Sequence, residues 1–243
     1  MKNSEKNKKI TFSNNDITTD LYNQYKDSSY LAVDTEAMGL IHGRDRLCLI
    51  QICNELNVTS CIKLELKKTY SPNIKKLFED NKIMKIFHYA RFDVAALKCN
   101  LEINTNNIFC TKIASKLART YTNKHGLKDL IHELIGIELD KSSQSSDWGS
   151  SEDLSSKQID YAANDVRYLI AAMHKLRLIL EREGRYELAQ KCFKTIPVNS
   201  WIKSFKPCLF VYVLANLLAI FVQKMLFVLI ARLHFRAATS NLA

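Results

Sequence analysis

Asp34 and Glu36 stand two residues apart at the end of the apolar stretch YLAVDTE. Alternate residues of a strand face one side, so both carboxylates can leave the chain together. Tyr161 and Asp165, in YAANDVRYL, are four apart, which on a helix sets a phenol beside a carboxylate. Asp93, in HYARFDVAALK, follows a short strand-like run and falls near the start of the next helix, where it is the natural fourth acid. Four carboxylates gathered at one point repel one another and hold their protons unless cations neutralise them. Hard oxygen donors select Mg²⁺ or Mn²⁺. Two such ions can activate a water on one side of a phosphodiester and stabilise the leaving 3′-oxygen on the other. Asp34, Glu36, Asp93 and Asp165 are thus candidate metal ligands and catalytic residues, with Tyr161 placed to orient the attacking water.

Those side chains meet only if strands and helices carry them to one place. YLAVD (30–34), RLCLIQIC (46–53) and NVTSCIKL (57–64) read as short apolar strands, and connections this short make them antiparallel neighbours. A helix from about Pro72, a strand at KIFH (85–88) and a helix from about Arg91 follow, which predicts a mixed sheet covered by helices. From Thr111 the period is helical: TKIASKLART, GLKDLIHELIG, and one long segment from about Ser155 to Glu183. The polar loop from Asp140 to Asp153 separates the last two, and its final serines can cap the helix beginning near Ser155.

Lys and Arg outnumber Asp and Glu by 35 to 25, a net +10 that favours a polyanionic partner. Residues 196–243 hold five of the basic residues and none of the acidic ones, so residues 1–195 carry 30 against 25 and are only mildly basic. Seven cysteines without a C-x-x-C pair point to free thiols in a reducing compartment. The polar N-terminus MKNSEKNKK offers no secretory leader, and a cytoplasmic location is expected.

Each carboxylate pattern taken singly also occurs on ordinary solvent-facing elements. Their order and flanking residues go further. VDTEAMGLIHGRDRLCLIQIC, KIFHYARFDVAAL and SDWGSSEDLSSKQIDYAANDVRYL together resemble the three exonuclease motifs of ribonuclease D, over about Tyr30 to Leu180. That family belongs to the DEDD exonucleases, in the subclass with a tyrosine four residues before the last aspartate. The resemblance implies an α/β fold with a ribonuclease H-like, mixed five-stranded sheet flanked by helices. It implies a metal-dependent 3′-5′ exonuclease that removes nucleotides from RNA 3′ ends, typically of transfer RNA precursors, and releases nucleoside 5′-monophosphates. The chain has no room for the helical HRDC domains of longer ribonucleases D, so it resembles the short, single-domain forms and must grip RNA through its own surface. Arg44, Arg46, Arg91 and Lys141 are candidates for that grip, each with a solvated basic surface as its alternative.

Met38, Leu40 and Phe92 flank the proposed ligands and either meet the terminal bases or pack in the core. His88, beside Asp93, reads as a structural histidine, because a site of four acids lets the cation acidify the water. His125 and His132 are seven apart with no H-E-x-x-H or Cys/His cluster, so neither zinc nor a nucleotide cofactor is expected. Asp147 and Trp148 match a family motif near the active site and are expected to shape the pocket.

Residues 1–195 are therefore expected to form the exonuclease domain and 196–243 an apolar helical tail. The run from Cys208 to Ala231 is long enough to span a bilayer, although Asn216, Gln223 and Lys224 interrupt it. Three readings stand for it: a membrane anchor or surface helix, a helix packed on the domain or on a second subunit, and an extension without a role. The competing functions are a DNA-directed 3′-5′ exonuclease and a membrane-tethered, catalytically weak nucleic-acid-binding module.

Overall fold

A computed structural model describes residues 10–66, 69–139, 148–149 and 154–198. The tail beyond residue 198, with its membrane-span reading, lies outside the described residues, as do Lys141 and Asp147. Among the described residues no helix is long and apolar enough to cross a membrane.

The sheet is organised around β2 (Tyr30–Ala37), β3 (Leu47–Asn54) and β4 (Thr59–Lys63), which pair antiparallel as their short connections require. All eight residues of β3 are buried, which is why RLCLIQIC shows an apolar run, interrupted within the strand by Gln51, rather than an alternation. Asn54 and Asn57 make the β3–β4 turn. The Asn54 side-chain oxygen accepts from the backbone N–H of Leu56 (3.1 Å) and of Val58 (2.9 Å), and Asn57 takes the left-handed conformation at φ +57°.

The chain then passes through α2 (Pro72–Glu79) to β5 (Met84–Phe87), which lies parallel to β2 on its other side. Next come α3 (Arg91–Leu101) and β6 (Ile108–Cys110), parallel to β5. An N-terminal strand β1 (Ile10–Asn14) adds to the far edge, parallel to β4, and leads into α1 (Thr19–Tyr25). The order is β1-β4-β3-β2-β5-β6. This is the mixed, helix-covered α/β sheet expected, with six strands rather than five. The sixth is β1, whose sequence ITFSN is too short and too polar to stand out, and whose residues are only partly buried at the sheet edge.

After α4 (Thr111–Ala118) and α5 (Leu127–Ile135), the segment expected as one long helix is two, α6 (Ser156–Arg167) and α7 (Leu169–Arg182). Ser155 starts α6 with a capping box, its side chain accepting from the Gln158 N–H while Gln158 reaches back to the Ser155 N–H. The break falls at Tyr168 (φ −103°, ψ −5°). α6 lies on β2, β3 and β4, whereas α7 packs against α4, α5, β2 and β5, two surfaces that one straight helix does not serve. The last helix, α8 (Tyr186–Lys194), leads to Ile196, which is buried in the core.

Candidate active site

The middle strand ends where the acids are. β2 pairs with β5 only through Tyr30, Leu31 and Ala32, so from Val33 onward its edge on that side is open and the first turn of α3 arrives there. Asp34 and Glu36 project from one face, opposite Gln51 and Leu49 of β3. The β2–β3 register shifts between Glu36 and Ala37, an irregularity that ends the regular ladder just past the second acid.

α6 supplies the next two groups. Ala162 and Ala163 are fully buried, packing in one cluster with Leu49 and Cys61, and their small side chains let the helix sit close to the sheet. That approach brings Asp165 to the β2 acids: carboxylate oxygens of Asp34, Glu36 and Asp165 lie within 4.8 Å of one another. Tyr161 hydrogen-bonds Asp165, and its ring meets Trp148 at 6.3 Å with a 32° tilt. Trp148 is buried in the same cluster.

Asp93 is buried at the start of α3 and accepts a 2.7 Å hydrogen bond from Thr35 Oγ1. It stands next to the group of three, and its charge acts on both Asp34 and Glu36. Burial, then the neighbouring acids Asp93, Glu36 and Asp165, push the Asp34 carboxyl well above its usual range. Burial followed by Asp165 and Asp93 raises Glu36 to about 8. Burial raises Asp93 to about 7 against the opposing Thr35 hydrogen bond. The Tyr161 phenol is pushed upward by burial and by Asp165, so it remains a neutral donor. Carboxylates packed this closely are poorly suited to be ionised alone, and their oxygens are the donor set that a hard divalent cation takes. The residues fit such an ion.

The other candidates divide. Met38 (60% exposed) and Leu40 (80% exposed) lie on the surface, which removes their core alternative. Phe92 is half-buried with its ring 5.0 Å from that of His42. Arg44 forms an exposed ion pair with Asp45 (2.6 Å). Arg46 directs its guanidinium at protein carbonyls, donating to Leu64 O (2.9 Å) and Gly149 O (3.0 Å). His88 Nδ1 lies 3.0 Å from Thr111 Oγ1.

Arg91 has company that the sequence did not reveal. Its guanidinium lies over the Tyr89 ring (5.3 Å), and Lys112 Nζ lies over the same ring (4.3 Å). Tyr89 is held at φ +74°, a costly backbone for an aromatic residue. A pocket of about 350 Å³ is lined by Tyr89, Arg91, Lys112 and Lys116 among others. Lys112 and Lys116 share a helix face by their spacing, but nothing in the sequence brings that face to Arg91. Thr35 and Gln51 were also missed, since each reads as an ordinary strand residue.

Residues 10–181 match the 3′-5′ exonuclease family. Among curated relatives, the ribonuclease D of Sphingobium indicum is 30% identical over 158 residues, 65% of this chain and 40% of that protein. The chain thus spans less than half the length of that relative. Among solved structures, Brucella melitensis NrnC bound to pGG is similar at 43% identity and TM-score 0.76, over 79% of this chain and 92% of that one. Brucella melitensis NrnC with bound Mg²⁺ is similar at 41% identity and TM-score 0.77, over 82% of this chain and 94% of that one.

Proposed function

This chain belongs to the 3′-5′ exonuclease family, and on that premise we propose that it hydrolyses phosphodiester bonds at RNA 3′ ends and releases nucleoside 5′-monophosphates. Transfer RNA precursors are the proposed natural substrates, and the cytoplasm the proposed location. The single observation that carries the reading is the meeting of Asp34, Glu36 and Asp165 within 4.8 Å, with Tyr161 bonded to Asp165. The likeness to a nuclease bound to pGG and to one with bound Mg²⁺ supports the substrate class and the ion.

Asp34, Glu36, Asp93 and Asp165 would hold two divalent cations, Mg²⁺ or Mn²⁺. When bound, such ions acidify the attacking water and compensate charge on the leaving 3′-oxygen. The chain's own groups do the positioning. Asp34, Glu36 and Asp165 present oxygens from a strand and a helix that are both fixed by packing. Thr35 restrains Asp93. Tyr161, anchored on Asp165 and backed by Trp148, keeps its proton and orients the attacking water. The pocket of Tyr89, Arg91, Lys112 and Lys116 offers cations and an aromatic face to the RNA strand on the 5′ side of the scissile bond. Catalysis is assigned to residues 1–195, and residues 196–243 are assigned to an apolar tail outside the catalytic site.

The decisive experiment digests single-stranded RNA, single-stranded DNA and a precursor transfer RNA bearing a 3′ tail, with Mg²⁺, Mn²⁺ or EDTA, and identifies the products by chromatography. RNA shortened from its 3′ end to 5′-monophosphates only when metal is present is the expected result. Full activity in EDTA would exclude the mechanism, and preference for the DNA substrate would move the assignment to a DNA-directed exonuclease.

A further inference from the structure

Gln51 is fully buried in the middle of β3, and neither its Nε2 nor its Oε1 has a hydrogen-bond partner among the described residues. Folded proteins seldom leave an amide in that condition without a reason, because stripping it of water is not offset. Its neighbours supply one. Gln51 is directly opposite Asp34 in the antiparallel β2–β3 ladder, and such pairs share a face with Cβ atoms about 4.5–5.5 Å apart. On its other side the ladder partner is Cys61, whose thiol burial pushes up to about 12. Cys61 belongs to the apolar cluster it forms with Leu49, Ala162 and Ala163. The amide is thus enclosed between apolar side chains and the strand that carries Asp34.

We propose that Gln51 is a positioning residue for cation binding: its Nε2–H donates to an Asp34 carboxylate oxygen and fixes the rotamer in which Asp34 meets the ion. The inference rests on the metal-dependent reading above and adds a residue to it. A ligand carboxylate carried on a strand end keeps two rotatable bonds, and a buried donor on the neighbouring strand removes that freedom. The arrangement also accounts for a polar residue at the centre of an otherwise apolar strand, where Leu, Ile or Met would bury more favourably in the absence of such a role.

The test measures Mn²⁺ binding to the full chain by calorimetry, together with melting temperature with and without Mn²⁺, for the wild type, Gln51→Met, Gln51→Asn and Asp34→Asn. Gln51→Met keeps the length and removes both polar atoms. The expected result is a melting temperature raised in the absence of metal and Mn²⁺ binding weakened about ten-fold, the low end of what losing a partner of a metal ligand costs. Gln51→Asn, too short to reach, should weaken binding similarly, and it provides the same readout if the Met variant does not fold. Mn²⁺ affinity equal to wild type in a folded Gln51 variant would overturn the proposal, as would an equal change in melting temperature with and without metal, the mark of a packing role alone. If Asp34→Asn loses Mn²⁺ while the Gln51 variants keep it, this inference fails and the metal-dependent reading stands. If the wild type binds no Mn²⁺, both fail.

Discussion

Thr35 Oγ1 donates to Asp93 Oδ1 over 2.7 Å, so the residue between the two β2 acids turns away from them and still serves their site. The open edge of β2 beyond Ala32 makes this geometry available, because the start of α3 fills the place that a longer β5 would occupy. Thr35→Val keeps the shape and removes the donor. Leaving a buried carboxyl without it should cost about 1–3 kcal/mol of stability, read from urea denaturation without metal, and should lower the rate of 3′-end hydrolysis.

Asp34→Asn and Asp165→Asn should each reduce hydrolysis by about a thousand-fold or more, the scale seen when charge stabilisation in a transition state is lost. Asp34→Asn should at the same time raise the metal-free melting temperature, since it removes an acid held far from its preferred charge state by burial and by three neighbours. An inactive variant that melts higher than the wild type separates a lost ligand from a lost fold.

The metal-free domain should lose stability as pH rises from about 4 to about 8. Folding raises Glu36 from 4.5 to about 8 and Asp93 from 3.8 to about 7. Across that window the folded state keeps protons that the unfolded state has released, and the slope of unfolding free energy against pH is therefore negative. Bound cation replaces those protons, so saturating Mg²⁺ should flatten or reverse the trend. Urea midpoints near pH 5 and pH 8, with and without Mg²⁺, check both signs.

Tyr161→Phe removes the hydroxyl and keeps the ring against Trp148. It should lower kcat about a hundred-fold, on the scale of losing one preorganised hydrogen-bonding group in an active site, with KM little changed. Steady-state kinetics on a short single-stranded RNA separates the two constants.

The spacing of Asp34 with Glu36 and of Tyr161 with Asp165 is legible in the sequence because periods of two and of about four are properties of the backbone itself. The antiparallel β2–β3–β4 unit is legible for a similar reason, since its connections are too short for a crossover. Three features are not. β1 is held by pairing with β4 more than by its own burial, so ITFSN carries little apolar signal. The helix break at Tyr168 has no proline or glycine to mark it, because it is set by the surfaces α6 and α7 must cover. The gathering of Tyr89, Arg91 and Lys112 depends on where the sheet sets the starts of α3 and α4, which no local pattern encodes.

Arg119, fully buried at the end of α4, donates to Glu133 Oε1 (2.9 Å), to Ser115 Oγ (2.9 Å) and to Lys124 O (2.8 Å). Arg119 also donates through Nη2 to Glu133 Oε2, and the Tyr121 hydroxyl donates to Glu133 Oε1. This clamp ties the α4–α5 connection to both helices. Arg119→Met should destabilise the domain by about 2–3 kcal/mol, in the range for hydrogen bonds to charged groups, with partial exposure of Glu133 limiting the loss. Chemical denaturation measures it.

Arg46 bridges β4's exit at Leu64 to Gly149, which lies 103 residues beyond Arg46 along the chain. It is therefore a rivet between distant segments, whatever its positive charge suggests. In an alanine scan for RNA affinity, losing Arg46 would phenocopy a binding defect by releasing the turn that seats Trp148 beside Tyr161. Lys112 and Lys116 are the substitutions that report on grip alone.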